Sequence, residues 1–375
     1  MTLPRVLVEI IAVFKFMWTL FTVDSPKPLR LPLFSNPFRL LNLPSLAHDV
    51  IFSQMEIEDI YHLSKCSRRS RYAVKMFTRR QKYDFEIFAR KFFCSIFISN
   101  RSKERFHRKL RLINVRELFY GLPFLTYSED VWAATKEEIG YVLDVFTKKV
   151  NWLKFDEISN VRKMTEFLKE KTVLPVHSVV YAVREINDEM YKSVWREFKD
   201  VKKLDISASP SANFRFDDME PFTGDNISIR DADCLTFDNL TRCFMNVERV
   251  WLWTTSERYL NVPVFNQFLN AWRNGLRVGK LEWICAYINI DLQSIFKDVP
   301  ATEVKRVEVR SWKRVFKNGE CFLIRQEASG AEAVVYCDLV ESERAFCFTT
   351  KFRLLRDQES DEEYSDNSDF SDDEF

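Results

Sequence analysis

One spacing of apolar residues recurs in the second half of the chain and constrains its fold most. Apolar residues occupy positions 1, 4 and 6 of three segments, 201–206, 247–252 and 304–309, and residues 281–283 are a truncated version. Short apolar runs of this kind predict strands. Residues 236–245 and 262–272 have the spacing of amphipathic helices, so this region is predicted to alternate strand and helix.

The repeated strand spacing resembles that of leucine-rich repeats, but the intervals are uneven and the asparagine that closes regular repeats is missing. We therefore predict an irregular, curved strand-helix domain of leucine-rich-like character over residues 151–352. With helices expected in the first part of the chain, the fold class is α+β or α/β. An ordinary α/β sandwich whose strands resemble one another by chance stays open as the alternative.

Composition argues against an enzyme. The chain has 34 phenylalanines and only 7 glycines, which disfavours the glycine-rich loops that hold phosphates. The eight cysteines are scattered without the close pairs of a zinc site, so we expect reduced core residues of an intracellular protein. Four histidines stand in unrelated settings, outside any catalytic or metal motif: His48, His62, His107 and His177. We therefore expect no cofactor, no metal and no catalytic residues.

The first 37 residues contain an apolar segment followed by a proline-rich linker. Residues 6–23 are long enough to span a bilayer, but Glu9 and Lys15 within them would each cost about 2.5–3.5 kcal/mol near the centre of an inserted helix. A secretory cleavage site is not apparent before Pro26. A locally packed extension, a membrane-associated helix and a true membrane span all stay open.

The net charge of +1 hides two opposed blocks. Residues 65–116 contain seventeen Lys and Arg against three Asp and Glu, whereas residues 357–375 contain ten acidic residues and no basic one. The terminal segment, residues 353–375, is predicted to be a disordered tail that covers the basic surface electrostatically, with a purely solubilising tail as the alternative. Ser360 and Ser371 each precede an acidic residue by three positions, the pattern that acidophilic kinases prefer, so both are candidate phosphorylation sites.

The basic stretch itself has several interpretations. A solvated helix face, an acidic protein partner and nucleic acid would all suit its charge. Nucleic acid is not favoured, because the aromatic residues fall at helical core spacing and no groove-reading motif accompanies them. These aromatic residues are Phe85, Phe88, Phe92 and Phe93.

Three helices are predicted after the linker. Pro44 suits the start of the first, and apolar residues then recur at a spacing of three to four, which predicts one apolar face. A second helix is expected from about residue 57 to 67, and a third, longer and basic helix from residue 69 to 90. The apolar face of the first helix comprises Leu46, Val50, Ile51 and Met55, and the buried side of the second comprises Ile60, Leu63 and Cys66.

These helices coincide with a resemblance to the F-box. Residues 38–71 resemble that motif in the Leu43-Pro44 opening, the acidic-apolar step at Asp59-Ile60 and the Ser-Lys-x-Ser-Arg-Arg exit at residues 64–69. Ser70 departs from the family, since many F-boxes carry a Trp near that position. The run Pro-Phe-x-Leu-Leu-x-Leu-Pro at residues 37–44 is similar to the opening found in a large nematode group of F-box proteins.

A second resemblance lies near the other end of the chain. The Asn-x-Phe-Leu-x-x-Trp pattern within residues 266–275 resembles the F-box-associated domain, type 2, of the same nematode group. Residues 324–335 resemble its later segment, although the usual Arg-x-Asp-Gly step is lengthened here to residues 325–330. The order of the two resemblances along the chain is the order found in that family.

The two resemblances imply a substrate-recognition subunit of a Skp-cullin-F-box ubiquitin ligase in the cytoplasm or nucleus. It would bind a Skp-family adaptor and the cullin scaffold, and hold a protein substrate that the sequence does not identify. A membrane-tethered or nucleic-acid-binding scaffold with a vestigial F-box is the alternative. The implied domains are an F-box with the following basic helix at residues 38–90, a connecting region at 91–150 and the associated domain at 151–352. The adaptor-facing residues carried over are Leu43, Pro44, Met55, Ile60 and Leu63, and internal packing is the alternative role of each.

Overall fold

The computed structural model divides the chain into two compact units, Met1–Val183 and Arg184–Phe375. The residues that the structure describes are 43–81, 83–89, 94–100, 110–111, 129–156, 159–171, 176–183, 186–211, 213–253, 262–287, 292–309, 312–316, 319–340 and 343–355. The apolar segment at residues 6–23, His107 and residues 356–375 with Ser360 and Ser371 lie outside these ranges. The tail predicted from residue 353 starts too early, because a strand runs to Leu354.

The first described elements of this first unit are the three helices that the sequence predicts: α1 (Ser45–Gln54), α2 (Ile57–Cys66) and α3 (Arg68–Thr78). Pro44 is the N-cap residue of α1. Ser67 caps α3 through a reciprocal pair of hydrogen bonds with Ser70, which satisfies backbone donors that a helix start otherwise leaves unpaired. Ser70 is buried here, so the residue that departs from the F-box pattern serves as part of the helix cap.

The third helix ends twelve residues earlier than predicted, because residues 83–89 form a strand. In β1 (Tyr83–Ala89) every second residue is buried, which is the period of a strand with one face covered. The predicted helix to residue 90 is therefore wrong beyond Thr78. Phe85 lies on the buried face of this strand, and Phe88 points to the other face, where its ring contacts Trp152 with centroids 5.4 Å apart.

The rest of the first unit, over its described residues, is a mixed sheet with two further helices. Its elements are β2 (Cys94–Asn100), β3 (Leu110–Arg111), α4 (Glu129–Val145), β4 (Trp152–Phe155), α5 (Ser159–Glu170) and β5 (Ser178–Tyr181). Strands β1, β4 and β5 pair in parallel, while β2 pairs with β1 and with β3 in antiparallel fashion. Helical crossovers of this kind are what parallel pairing requires.

The second unit alternates strand and helix before it becomes entirely β. Its first elements are α6 (Asp188–Phe198), β6 (Lys203–Ile206), β7 (Asn226–Ile229), α7 (Phe237–Phe244), β8 (Arg249–Leu252), α8 (Val262–Arg273), β9 (Trp283–Tyr287) and α9 (Leu292–Ile295). The later elements are β10 (Thr302–Glu303), β11 (Arg306–Val309), β12 (Trp312–Val315), β13 (Cys321–Arg325), β14 (Glu332–Val340), β15 (Glu343–Thr349) and β16 (Phe352–Leu354). The two helices predicted from amphipathic spacing, at residues 236–245 and 262–272, are confirmed as α7 and α8.

The strands of this unit form two sheets. The larger sheet has the order β6-β7-β8-β9-β15-β14-β13-β10, parallel from β6 to β9 and antiparallel from there on. The smaller sheet has the order β12-β11-β16 and is antiparallel. Two of the three predicted repeats, at residues 201–206 and 247–252, end in the parallel strands β6 and β8. The third, at residues 304–309, supplies β11 of the small sheet, so its assignment to the same strand array is wrong.

Both faces of the larger sheet are covered at the β9 and β15 strands. Helix α8 packs on one face, where the rings of Phe268 and Phe348 lie 5.1 Å apart. On the opposite face, Trp251 and Trp283 form a core with Val307 and Val309 of the small sheet. The two units together give a mixed α/β class, in agreement with the prediction, and the leucine-rich-like character stays a prediction. In the described part of the chain, no helix combines the length and hydropathy that crossing a bilayer requires.

Candidate functional site: an apolar surface on the first three helices

Large apolar side chains are exposed mainly on α1 and α3. Among the described residues, five large hydrophobic side chains are exposed, and four of them belong to these two helices. The four are Leu46 (76% exposed), Val50 (43%), Tyr72 (66%) and Met76 (41%), and the fifth is Leu354 of β16. We call the four residues of α1 and α3 the apolar surface. Exposed apolar patches of this kind mark protein interaction sites.

Direct contacts hold α1 and α3 side by side. The rings of Phe52 and Phe77 pack edge to face with centroids 5.4 Å apart, and both side chains are buried. The guanidinium of Arg80 donates to both carboxylate oxygens of Asp49, at 2.5 and 2.6 Å. Asp49 adjoins Val50, and Arg80 follows Met76 by one helical turn, so this ion pair joins the two helices close to two of the exposed apolar residues.

Helix α4 packs on α2 through a hydrogen-bonded cluster. The Tyr61 hydroxyl donates to the carboxylate of Glu138, and the Lys65 ammonium lies 2.7 Å from the second oxygen of that carboxylate. The hydroxyls of Ser64 and Tyr141 are 2.6 Å apart. Burial, followed by the hydrogen bond to Glu138, raises the pKa of Tyr61, so its hydroxyl keeps its proton.

Helix α4 also contacts α3, chiefly through Asp144. Its carboxylate accepts from the Lys75 ammonium and from the Arg71 guanidinium, the latter at 3.1 Å. The hydrogen bond from Lys75 holds the pKa of Asp144 below its ordinary value. The Thr78 hydroxyl donates to the carbonyl of Val145. Helix α4 thus occupies the sides of α2 and α3 that carry these residues.

The predicted adaptor-facing residues take different positions. Pro44 is exposed, Leu43, Met55 and Leu63 are half-buried, and Ile60 is only 3% exposed. Ile60 therefore packs inside the helical domain in this structure. The predicted buried side of α2 also needs correction at Cys66, which is exposed.

The apolar face predicted for α1 is divided between surface and interior. Leu46 and Val50 of that face are exposed, whereas Ile51 and Phe52 are buried. Tyr72 and Met76 of α3 were not singled out as binding residues. The one sequence signal for an exposed apolar surface is that α1 carries more apolar residues than a single helix face can bury.

Much of the basic charge in this region is already paired. Lys65, Arg71, Lys75 and Arg80 each lie within 4.0 Å of a carboxylate, belonging to Glu138, Asp144 or Asp49. Arg68 and Arg79 are exposed and lie near the two ends of α3. Four described cations of residues 65–116 therefore form ion pairs that join one helix to another. Arg68 and Arg79 remain exposed at the rim of the apolar surface.

A metal-binding cluster does not emerge from the described residues. No group of three or more His, Cys, Asp or Glu side chains there could hold a metal ion. His48 stacks on Phe52 with ring centroids 5.8 Å apart, and His62 lies 4.0 Å from Glu58 on the same helix. Both contacts are local packing contacts.

In the second unit, the two segments that resemble the associated domain contact each other. The Gln326 side-chain amide donates to the carbonyl of Trp272 at 2.8 Å, and the Glu327 backbone donates to the carbonyl of Arg273 at 2.9 Å. The lengthened step forms the turn between β13 and β14, where Gln326 N–H donates to the Ala331 carbonyl at 2.8 Å. Gly330 has a φ of +71°, which an L side chain rarely adopts.

Comparison with known families matches residues 40–82 to the F-box domain. The match covers α1, α2 and α3, so these three helices are an F-box domain. No curated protein and no solved structure matches the chain.

Proposed function

We propose that this chain is a substrate-recognition subunit of a Skp-cullin-F-box ubiquitin ligase. The observation that carries the proposal is the apolar surface, Leu46, Val50, Tyr72 and Met76, on a domain that matches the F-box. F-box domains bind a Skp-family adaptor within such ligases. Four large apolar side chains exposed on two adjacent helices are a ready binding surface, because covering them removes apolar area from water.

The position of α4 determines which side of the F-box the adaptor reaches. Helix α4 already lies against Tyr61, Lys65 and Lys75. The adaptor therefore docks on the α1 and α3 side, with Leu43, Pro44, Met55 and Leu63 as contacts at the α1 and α2 ends. Ile60 supports the surface from inside and does not touch the adaptor.

Exposed cations flank the surface and indicate what its partner carries. Arg68 and Arg79 are exposed at the ends of α3, and Arg80 is half-exposed although it is paired with Asp49. An adaptor with acidic groups around an apolar centre complements this arrangement, and such charges chiefly raise the association rate.

The chain contributes binding and not chemistry. Ubiquitin transfer proceeds through a partner enzyme's thiol, and a receptor raises the effective concentration of the substrate and orients it. We propose that the second unit holds the protein substrate as an F-box-associated domain of the nematode type. Support comes from the contacts that join residues 272–273 to residues 326–327. We propose that the protein acts in the cytoplasm or nucleus, and we do not favour a membrane-tethered or nucleic-acid-binding scaffold.

Co-purification of the full chain with a Skp-family adaptor and cullin tests the proposal. The variant Leu46→Asp/Tyr72→Asp places two charges in the apolar surface without touching the buried Phe52 or Phe77. Each lost apolar anchor is worth about 1.5–3 kcal/mol. We expect Kd to rise by about two to four decades.

Leu354→Asp is the matched control, because Leu354 is an exposed large hydrophobic outside the F-box. It should change adaptor affinity by less than about twofold. Both variants must keep the thermal midpoint of the parent chain. Undiminished adaptor binding by the folded double variant would contradict the proposal.

A further inference from the structure

The small sheet of β11, β12 and β16 concentrates basic residues. Residues 304–317 contain six Lys and Arg against one Glu, and residues 351–356 contain three Lys and Arg and no acid. The strands come from these two segments, so their pairing brings described cations of both, among them Arg306 and Arg353, into one sheet. We call β11, β12 and β16 the basic sheet.

The two faces of the basic sheet differ. Val307 and Val309 point into the core against Trp251 and Trp283. The alternate positions point the other way, since successive residues of a strand face opposite sides. On this outer side Arg353 stands directly across from Glu308, with the guanidinium 3.9 Å from the carboxylate.

The outer side remains basic after that ion pair is counted. Lys313 occupies the register position across from Glu308 on the other neighbouring strand, and Arg306 lies two residues before Glu308. Lys305, which precedes β11, is exposed to solvent, as are Lys351 and Arg353, although the Lys351 ammonium lies 3.5 Å from the carboxylate of Glu282. Two carboxylates, those of Glu282 and Glu308, thus stand among a larger number of cations.

The acidic end of the chain starts at this sheet. The Leu355 backbone donates to the carbonyl of Arg306 at 3.2 Å, so the chain leaves the described structure from the edge strand β16. Residues 357–375 follow with ten acidic residues and no basic one. At 3.3–3.6 Å per residue they reach at most about 65 Å, which is more than enough to return to the outer side of the sheet.

We propose that residues 357–375 dock on the outer face of the basic sheet of the same chain. Opposite charge and a tether of a few residues favour the contact, because the tether keeps the effective concentration high. Lys65, Arg71, Lys75 and Arg80 of the F-box have carboxylate partners, as Lys351 and Arg353 do, so the short tether is what favours the basic sheet. This location replaces the cover over residues 65–116 that the sequence predicts.

Docking of this kind has a regulatory consequence. An acidic partner that binds the basic sheet competes with the terminal segment for the same cations. Phosphorylation of Ser360 or Ser371 adds about −1.5 to −2 charges at each site and strengthens the internal contact. The terminal segment then acts as a phosphorylation-dependent competitor for acidic partners of the second unit.

Zero-length carbodiimide coupling of the full chain, read by mass spectrometry on the monomer, tests the proposal. The reagent forms an amide bond between a carboxylate and a lysine amine only when the two groups are in direct contact. We expect coupling of residues 357–375 to Lys305, Lys313 and Lys351 at about 50 mM salt, falling at least about fivefold by 500 mM as screening shortens the reach of the charges. Dominant coupling to Lys65, Lys75 or Lys82, or no coupling at low salt, would overturn the proposal.

Charge reversal locates the contact independently. In Lys351→Glu/Arg353→Glu, coupling to Lys305 and Lys313 should fall at least about fivefold, because both altered side chains are about two-thirds exposed and face the same segment. Arg68→Glu/Arg79→Glu is the matched control with the same change in charge, and it should alter coupling by less than about twofold. Equal effects of the two variants would overturn the assigned location. Adaptor binding should be unchanged by the first variant.

Discussion

The F-box helices and the second unit place their large apolar side chains differently. Helices α1 and α3 leave Leu46, Val50, Tyr72 and Met76 exposed, whereas the second unit, over its described residues, leaves only Leu354. The same residue types therefore serve two purposes. In the second unit they are buried and stabilise the core. On the F-box helices they are exposed and form the surface that we propose the adaptor covers.

Removing a core aromatic from the second unit should have the largest effect. The Trp195 side chain is fully buried among Phe216, Phe222 and Phe244, and its indole N–H donates to the carbonyl of Glu220 at 2.9 Å. Trp195→Ala should lower the free energy of unfolding by about 3–5 kcal/mol through lost burial and the cavity that remains.

Denaturant unfolding of the full chain measures this loss. Leu46→Ala, an apolar truncation on the F-box surface, should change the free energy of unfolding by no more than about 0.5 kcal/mol. Similar losses in the two variants would break the distinction between apolar residues that stabilise and apolar residues that bind.

A smaller effect should come from the ion pairs that join α3 to α4. Asp144 accepts from Lys75 and Arg71, and its folded-state pKa lies below its ordinary value of 3.8. A lowered folded-state pKa stabilises the fold above the unfolded-state value and ceases to do so as pH falls through the folded-state value. Asp144→Asn should therefore lower stability by at most about 1 kcal/mol at neutral pH, since the pair is partly exposed.

The pH dependence of the thermal midpoint distinguishes the effect of this ion pair from the effect of net surface charge. The difference in thermal midpoint between parent and Asp144→Asn should shrink below pH 3.8 and vanish once Asp144 is protonated in the folded chain. Glu166→Gln, which breaks the exposed Arg162 pair on α5, is the control and should change stability by no more than about 0.5 kcal/mol. A constant difference for Asp144→Asn down to pH 2 would contradict the assigned role.

Local patterns predict an element well where only one regular spacing fits its apolar residues. Helices α1 and α2 follow from Pro44 and from apolar spacing, because neighbouring helices supply their packing. Residues 79–90 fail the same reasoning, since Phe85 and Phe88 fit a helical spacing whereas Tyr83, Phe85 and Ile87 fit a strand alternation. Pairing with β2 and β4 gives the strand, and β4 lies more than sixty residues away.

The candidate site was predictable as a region but not as a set of side chains. The motif at residues 38–71 identifies the F-box, and the sequence favours Ile60 as a contact because it is apolar and well placed in the motif. Burial of Ile60 and exposure of Leu46 depend on how α1 and α3 pack around Phe52 and Phe77. That packing is tertiary, and a helical period alone does not say which of two apolar stripes turns inward.

Hydroxyl-radical footprinting of the full chain, with and without a purified Skp-family adaptor, tests the binding surface most directly. Tyr72 and Met76 are exposed and react readily, so their side-chain oxidation reports on cover by a partner. We predict that the adaptor lowers oxidation of Tyr72, Met76 and Leu46 severalfold and leaves Leu354 unchanged. Adaptor binding with unchanged oxidation of Tyr72 and Met76 would contradict docking on the apolar surface.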